Sequence, residues 1–518
     1  MSTPITAAGV PPSADPTTAA TGSSGSSDQV THWRHRYFSP YTLAVALSLL
    51  ALSPFIVLTT ATEAVSSLIG SSLHTSATTL EVASGLSNAG YALGAVVAAD
   101  LSQRFVQRHL FLTYEAVFVV ASLLAGLAPN APVYVIGHVL QGMATGLLLV
   151  AALPPLILRF PPSRLPLTVA FVNIGLFGAI ALGPFLGDVL AQAGTWRWLL
   201  IGAAVLGALG WVSAWFGYET WPPMNPELPV DKPVFPLAVA ATFLPFLGSA
   251  LAGTVGFASP WFWGPIAVGV LALLTLIVYE YRHREEPLMP VRALSSALPV
   301  SGTIGAMLGG GAFVAALSLV ALLQQQRGVG LVTAGLQLLP LVAGVAVSSI
   351  LFRHLITRAA LPLLAASGLL AVIAGIGVVL PVAWSAPPAV LVPIASALLG
   401  FGAGSAVAPA LFLAGMGVES QKIGRAFALI ELLRSEAAFL IAPVLLVLAA
   451  HIGGLAGIRE ALVISLLIAV LGLLIALAVY LGSGTRRHAP QIDDWLGGDG
   501  PALHSPPVLA RLRGRATG

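Results

Sequence analysis

Two glutamates and an arginine within one apolar stretch are the first candidates for chemistry. Glu431, Arg434 and Glu436 lie in the stretch 423–448, IGRAFALIELLRSEAAFLIAPVLLVL, which is long enough to cross a bilayer. A charge at the bilayer centre costs about 2.5–3.5 kcal/mol on insertion scales, so such residues usually face a protein-lined or watery cavity. The stretch is therefore a candidate ion or substrate path.

The spacing of these residues separates one acid from the other two groups. At about 100° per residue, Glu431 and Arg434 share one helical face and can pair, whereas Glu436 points about 160° away from Arg434. Glu436 is the acid that this spacing leaves without a partner, and it is therefore the first candidate for proton exchange. The alternative is that all three form a structural polar cluster between helices.

The composition identifies the class of protein that must position these charges. Hydrophobic residues make up 57% of the 518 residues, charged residues only 8%, and the mean hydropathy is +0.92. Such values predict a polytopic membrane protein. The chain has no cysteine and no GxxxxGK[ST] loop, and its scattered basic residues do not predict a nucleic-acid partner.

The apolar segments divide the chain into blocks. Residues 1–40, rich in Ser, Thr, Ala, Pro and Gly, predict a disordered tail, and residues 484–518 predict a second one. Between them, residues 41–218 and 297–483 each hold six apolar segments of spanning length, and residues 219–296 form a linker with two more. The sequence therefore predicts an all-α membrane protein with fourteen transmembrane helices: two six-helix bundles and two inserted helices.

The basic residues predict the orientation. If the chain starts inside, sixteen Lys or Arg residues flank the spans on the cytoplasmic side, against Arg197, Arg327 and Arg459 outside. The positive-inside rule then places both termini in the cytoplasm of a cell whose plasma (inner) membrane the protein crosses.

Several motifs resemble one family. The stretch QQQRGVGLVTAGLQLLP (324–340), the glycine-rich GFGAGSAVAP (400–409) and ELLRSEAA (431–438) are similar to motifs of the fourteen-span drug:proton antiporter family of the major facilitator superfamily. In the last motif, Arg434 takes the position of the family arginine. The resemblance implies the major facilitator fold, with substrate and ion sites near the interface of two bundles.

The loop after the second span resembles the cytoplasmic gate motif of the superfamily. In AVVAADLSQRFVQR (95–108), Asp100 and Arg104 keep the Asp-to-Arg spacing of that motif. The resemblance implies that these two charges bridge the halves and part when the protein opens inward. The alternative is that Arg104 is a plain topological anchor.

The fifth span resembles the family's antiporter motif, which accompanies export. GLFGAIALGPFLG (175–187) carries Gly175, Gly183, Pro184 and Gly187 at intervals that let a neighbouring helix approach closely, and the proline bends the helix end. Small residues at such spacing also occur in helices that only pack.

Two further ionisable residues depart from the family pattern. In GHVLQGMATG (137–146), His138 stands where the family has arginine, and histidine can titrate in the working pH range. The first-span Asp of the family is absent, but Glu63 lies nearby in LTTATEAVSS (58–67). Both are proton-coupling candidates, although His138 could equally be a neutral hydrogen-bonded group.

The resemblance implies a secondary transporter that exports lipophilic small molecules or drugs, cationic ones among them, in exchange for protons by alternating access. The alternatives are an exporter of one endogenous metabolite or lipid, a proton-coupled importer, and a non-transporting receptor or scaffold. The last is kept because the first-span Asp is absent and His138 replaces arginine. No enzymatic activity, cofactor or metal site is predicted; protons and the lipid bilayer are the other expected partners.

Overall fold

The computed structural model describes residues 40–220, 222–223, 225–227, 230–282 and 287–508. The tail predicted over residues 1–40 lies outside these described residues, apart from Pro40, which begins the first helix.

The described chain contains fourteen helices that are long and apolar enough to cross a membrane, which confirms the predicted all-α class and span number. At about 1.5 Å per residue, even the shortest, with 20 residues, covers the hydrocarbon core. In chain order they are α1 (Pro40–Ser72), α2 (Ala77–Arg104), α3 (Gln107–Gly126), α4 (Ala131–Leu158), α5 (Leu165–Gln192), α6 (Arg197–Gly217), α7 (Val234–Val255), α8 (Pro260–Arg282), α9 (Ala297–Gln326), α10 (Leu331–Leu355), α11 (Leu361–Ala383), α12 (Pro388–Gly415), α13 (Ile423–Ile452) and α14 (Gly454–Ser483).

Within the described residues, the helices pack as two groups of six and one hairpin. Helices α1–α6 pack mainly on one another, with α2 on α4 and α1 on α5, and α9–α14 form a second group in which α11 packs on α12 and α9 on α14. The inserted helices α7 and α8 form a hairpin, and α7 lies against α2 of the first bundle and α13 of the second.

The two bundles meet along two seams, α5 against α10 and α2 against α13. We call the membrane side on which α1 begins and α14 ends the basic side, because most loop arginines lie there. The other side is called the opposite side.

Residues 484–508 depart from the disorder expected for 484–518. They include a short helix, Ile492–Gly497, whose Trp495 is fully buried and donates its indole N–H to the Val418 carbonyl at 2.9 Å. The backbone N–H of Leu503 donates to the Met416 carbonyl at 2.9 Å. Disorder was predicted from the Gly- and Pro-rich composition of this segment, but its few apolar residues pack on the second bundle.

Candidate functional site

The centre of the candidate site is an ion pair on α13, and its glutamate also contacts α2 across the α2–α13 seam. Glu431, only 3% exposed, accepts a hydrogen bond from Arg434 Nε at 3.0 Å and a second one from a terminal guanidinium nitrogen. This confirms the pairing predicted from the spacing of the two residues. Tyr91 of α2 donates its hydroxyl to Glu431 Oε1 at 2.8 Å, and its ring stacks on Phe55 at 5.9 Å.

Glu436 lies apart from this cluster. It is 6% exposed, and its buried Oε1 has no hydrogen-bond partner within the described part of the chain. Glu436 and Val447 are eleven residues apart, so they lie about 20° apart around the helix. Because Val447 lies beside Gly253 of α7, Glu436 is on the side of α13 that faces the inserted hairpin, not on the Tyr91 side.

Glu63 makes a second contact between the bundles, from α1 to α9, nearer the opposite side. Its carboxylate accepts the hydroxyl hydrogen of Ser318, with oxygen distances of 3.1 and 3.3 Å, and Ser318 belongs to α9 of the other bundle. The Glu63 side chain is exposed, whereas Ser318 is buried. Glu63 therefore lines the space between the bundles, a position that its sequence context left open.

His138 is enclosed within the first bundle. Its Nδ1 lies 3.1 Å from Gln141 Oε1, Gln141 donates to the Ser122 hydroxyl of α3 at 2.7 Å, and the imidazole stacks on Tyr134 at 5.6 Å. Among the described residues, no hydrogen bond or ion pair joins His138 to an acidic side chain. This geometry favours the hydrogen-bonded structural role over proton exchange.

The basic-side end of α2 holds the expected gate charges. Arg104 Nη2 and Asp100 Oδ1 form an ion pair of 2.6 Å within the last turn of α2. A link to the second bundle is made by the residue before Arg104, because Arg425 of α13 donates to Gln103 Oε1 at 3.4 Å. Arg425 also donates to the Pro287 carbonyl at 3.1 Å, which ties the linker after the inserted hairpin to the same point.

The glycine motif of α5 forms a close contact inside the first bundle. A Cβ at Gly183 would lie 1.8 Å from Thr60 Oγ1, and one at Gly187 would lie 2.5 Å from the Ala61 carbonyl. A Cβ at Gly175 would lie 2.1 Å from Leu49 Cδ2. With Pro184 inside the helix, these glycines let α5 lie directly on α1.

The sequence analysis missed Asn173, which forms a further polar link between the bundles. Its amide nitrogen, fully buried on α5, lies 3.3 and 3.2 Å from the hydroxyls of Ser348 and Ser349 on α10, and 3.2 Å from the Gly404 carbonyl on α12. A lone amide within an apolar span is a signal that could have identified it, because such groups need a partner in a membrane. Tyr91 and Ser318 carry no comparable signal.

The described residues form two helical bundles with polar contacts crossing between them. A family model matches the first part of the chain. The family model described as "Major Facilitator Superfamily" matches residues 41–240. The match covers the first bundle and the beginning of the first inserted helix.

Solved structures support the fold over most of the chain. The chain is similar to the proton:xylose symporter XylE, with a TM-score of 0.60 at 13% identity over 85% of this chain and 95% of that one. It is also similar to a POT family transporter in complex with 5-aminolevulinic acid, with a TM-score of 0.62 at 13% identity over 85% and 97% of the two chains.

Several curated relatives are export proteins. The chain is 29% identical to the tetracenomycin C resistance and export protein of Streptomyces glaucescens over 51% of this chain and 50% of that protein. It is 26% identical to the drug efflux pump JefA of Mycobacterium tuberculosis over 67% and 69% of the two chains. The MFS-type transporter YubD of Bacillus subtilis is 27% identical over 60% of this chain, which spans 61% of the length of that relative.

Proposed function

We propose that the protein exports lipophilic small molecules, cationic ones among them, across the cell membrane in exchange for protons. The export relatives support the direction and the substrate class. The buried acids of α13 support the coupling, because an intramembrane carboxyl without a basic partner is suited to bind and release a proton. This assignment places the protein among fourteen-span drug:proton antiporters.

The proposal rests on the different surroundings of the two acids of α13, Glu431 and Glu436. Glu431 is held by Arg434 and Tyr91, so its charge is compensated and its role is to join the two bundles. Glu436 has no such compensation in the described part of the chain and is therefore the proposed proton carrier. Glu63, with a single hydroxyl partner, is the second candidate.

Alternating access then requires the contacts between the bundles to break on one side at a time. On the basic side, the bundles are joined by Gln103 with Arg425 and by Asn173 with the serines of α10. Glu63 is exposed between the bundles nearer the opposite side. A proton would reach the acids from this opposite side, and its release on the basic side would follow once those links open.

The test is a flux measurement on purified protein in liposomes. A lipophilic cationic dye should be transported against its gradient when a proton gradient of opposite direction is imposed, and transport should stop when an ionophore collapses the gradient. Dye transport in the same direction as the proton flow would identify an importer. If no dye that is tested causes proton movement, an endogenous substrate is favoured. Substrate binding with no flux under either gradient would support the non-transporting receptor.

A further inference from the structure

We propose that an anionic glycerophospholipid from the basic-side leaflet binds to the second bundle, with its acyl chain in a groove and its phosphate at three arginines. The groove lies between α9, α11, α12 and α14, and its walls include Gly302, Gly305, Ala366, Ala406, Ala410 and Ala476. We call it the α11–α14 groove. The proposal is independent of the transport reaction proposed above.

The shape of the groove follows from its small side chains. Glycine and alanine leave a gap between α11 and α14, and a Cβ at Gly305 would meet only Leu369, at 3.4 Å. The gap opens sideways, because the rim residues Leu363, Leu477 and Leu481 are 46%, 36% and 62% exposed. In a bilayer, these exposed leucines face hydrocarbon, so an acyl chain is the occupant that the surroundings supply.

The basic-side end of the groove is cationic. Arg487 and Tyr480 lie both on the groove and on an adjoining cleft, which is also lined by Arg358 and Arg486. All three arginines are exposed, and no ion pair with a carboxylate is found for them within the described residues. Within the described part of the chain, three guanidinium groups without a carboxylate partner therefore lie at one end of an apolar groove.

This combination of charges selects the occupant. Guanidinium groups bind phosphate oxygens in a bidentate manner, and basic pockets between spans on this side of a membrane are typical sites for anionic lipid headgroups. A lipophilic cation would be repelled by the same three charges, which argues against the groove as a side entrance for the substrates proposed above. If these arginines served only to fix the membrane orientation, the groove beside them would have no role.

The experiment compares lipids on the purified full-length protein in detergent micelles. Phosphatidylglycerol and phosphatidylcholine with the same acyl chains are titrated, and bound lipid is counted by native mass spectrometry. The parent protein should bind phosphatidylglycerol at least tenfold more tightly. The triple variant Arg358→Ala, Arg486→Ala, Arg487→Ala should lose this preference.

Two controls separate a built site from general surface charge. The triple variant Arg282→Ala, Arg292→Ala, Arg353→Ala removes the same charge from exposed positions on the same side that do not line the groove, and it should keep the preference. Ala366→Phe fills the groove without touching the arginines and should weaken the binding of both lipids. Monodisperse elution and an unchanged unfolding temperature verify that each variant is folded.

Three results would overturn the proposal. If the parent binds the two lipids with equal affinity, the arginines do not recognise the phosphatidylglycerol headgroup. If both triple variants lose the preference for phosphatidylglycerol equally, the preference comes from general surface charge. Displacement of phosphatidylglycerol by inorganic phosphate at comparable concentration shows a phosphate site that does not use the groove. Persistence of the lipid against excess phosphate, together with its loss in Ala366→Phe, supports the lipid as the occupant.

Discussion

At the scale of single residues, the two acids of α13 should respond differently to substitution. Glu436→Gln keeps the shape of the side chain but removes its proton exchange, so proton-driven efflux should be abolished while substrate binding remains measurable. The conservative change Glu460→Gln, at an exposed position on the neighbouring helix α14, is the matched control and should transport normally. Normal efflux by Glu436→Gln would show that Glu436 is not the proton carrier and would make Glu63 the leading candidate.

Arg434 should matter more for folding than for coupling. Arg434→Ala leaves Glu431 buried without its cationic partner, and breaking a buried ion pair in this way costs about 3–5 kcal/mol. The expected result is a lower yield of folded protein and a lower unfolding temperature than for Glu436→Gln. Rescue of folding by the second change Glu431→Gln would show that the stranded charge is the cause; a stable single variant would show that the pair is dispensable.

Removal of the Tyr91 hydroxyl is a test of the contact between the two bundles. Tyr91→Phe removes one hydrogen bond to a charged acceptor, worth about 1.5–3 kcal/mol, and should shift the population of conformations because this bond crosses the α2–α13 seam. Cysteine labelling at the two ends of the seam measures the shift. Tyr114→Phe is the control, because that buried hydroxyl has no hydrogen-bond partner in the described residues; equal effects of both changes would contradict the specific role of Tyr91.

At the scale of helices, the glycine motif of α5 predicts a sharp difference between neighbouring positions. Gly183→Ala would place a methyl group 2.7 Å from the Val57 carbonyl of α1, and such overpacking costs about 1–3 kcal/mol. At Gly178, the nearest atom lies 3.9 Å away on the same helix, so Gly178→Ala should be tolerated. Thermal unfolding in detergent gives the comparison, and equal stability of the two variants would show that α1 and α5 do not pack this closely.

The end of α2 should act as a gate element. Asp100→Asn weakens the ion pair with Arg104 beside the Gln103–Arg425 link, so it should lower transport more than substrate binding, because a gate contact changes conformational populations without touching the ligand. Transport rates and equilibrium binding of the same dye supply the two readouts. Equal loss of both would indicate misfolding or a direct role in binding.

At the scale of the whole molecule, the even number of candidate spans among the described residues puts the start of α1 and the end of α14 on one side of a membrane, and the arginine distribution predicts that this side is cytoplasmic. A phosphatase fused after Ser483, which is active only outside the cytoplasm, should be inactive, and a cytoplasmic reporter at the same site should be active. The reverse pattern would invert the membrane orientation and with it the direction of the proposed proton flow.

Much of the architecture could be read from the sequence because it depends on local chemistry. The number of spans follows from apolar length, and the ion pairs Glu431–Arg434 and Asp100–Arg104 follow from spacings of three and four residues on one helix. Helical geometry alone brings such neighbours together. The candidate acids of α13 were identifiable for the same reason: a charge stands out in an apolar span.

The contacts between bundles were decided by the tertiary structure. Tyr91 meets Glu431 across 340 residues of sequence, and Glu63 meets Ser318 across 255. Spans that are apolar all round carry little amphipathic signal, since faces toward lipid and faces toward protein are equally hydrophobic. The packing of all the helices therefore decides which face of α2 turns toward α13. It also decides that His138 contacts Gln141 and Tyr134 inside the first bundle and not the acids.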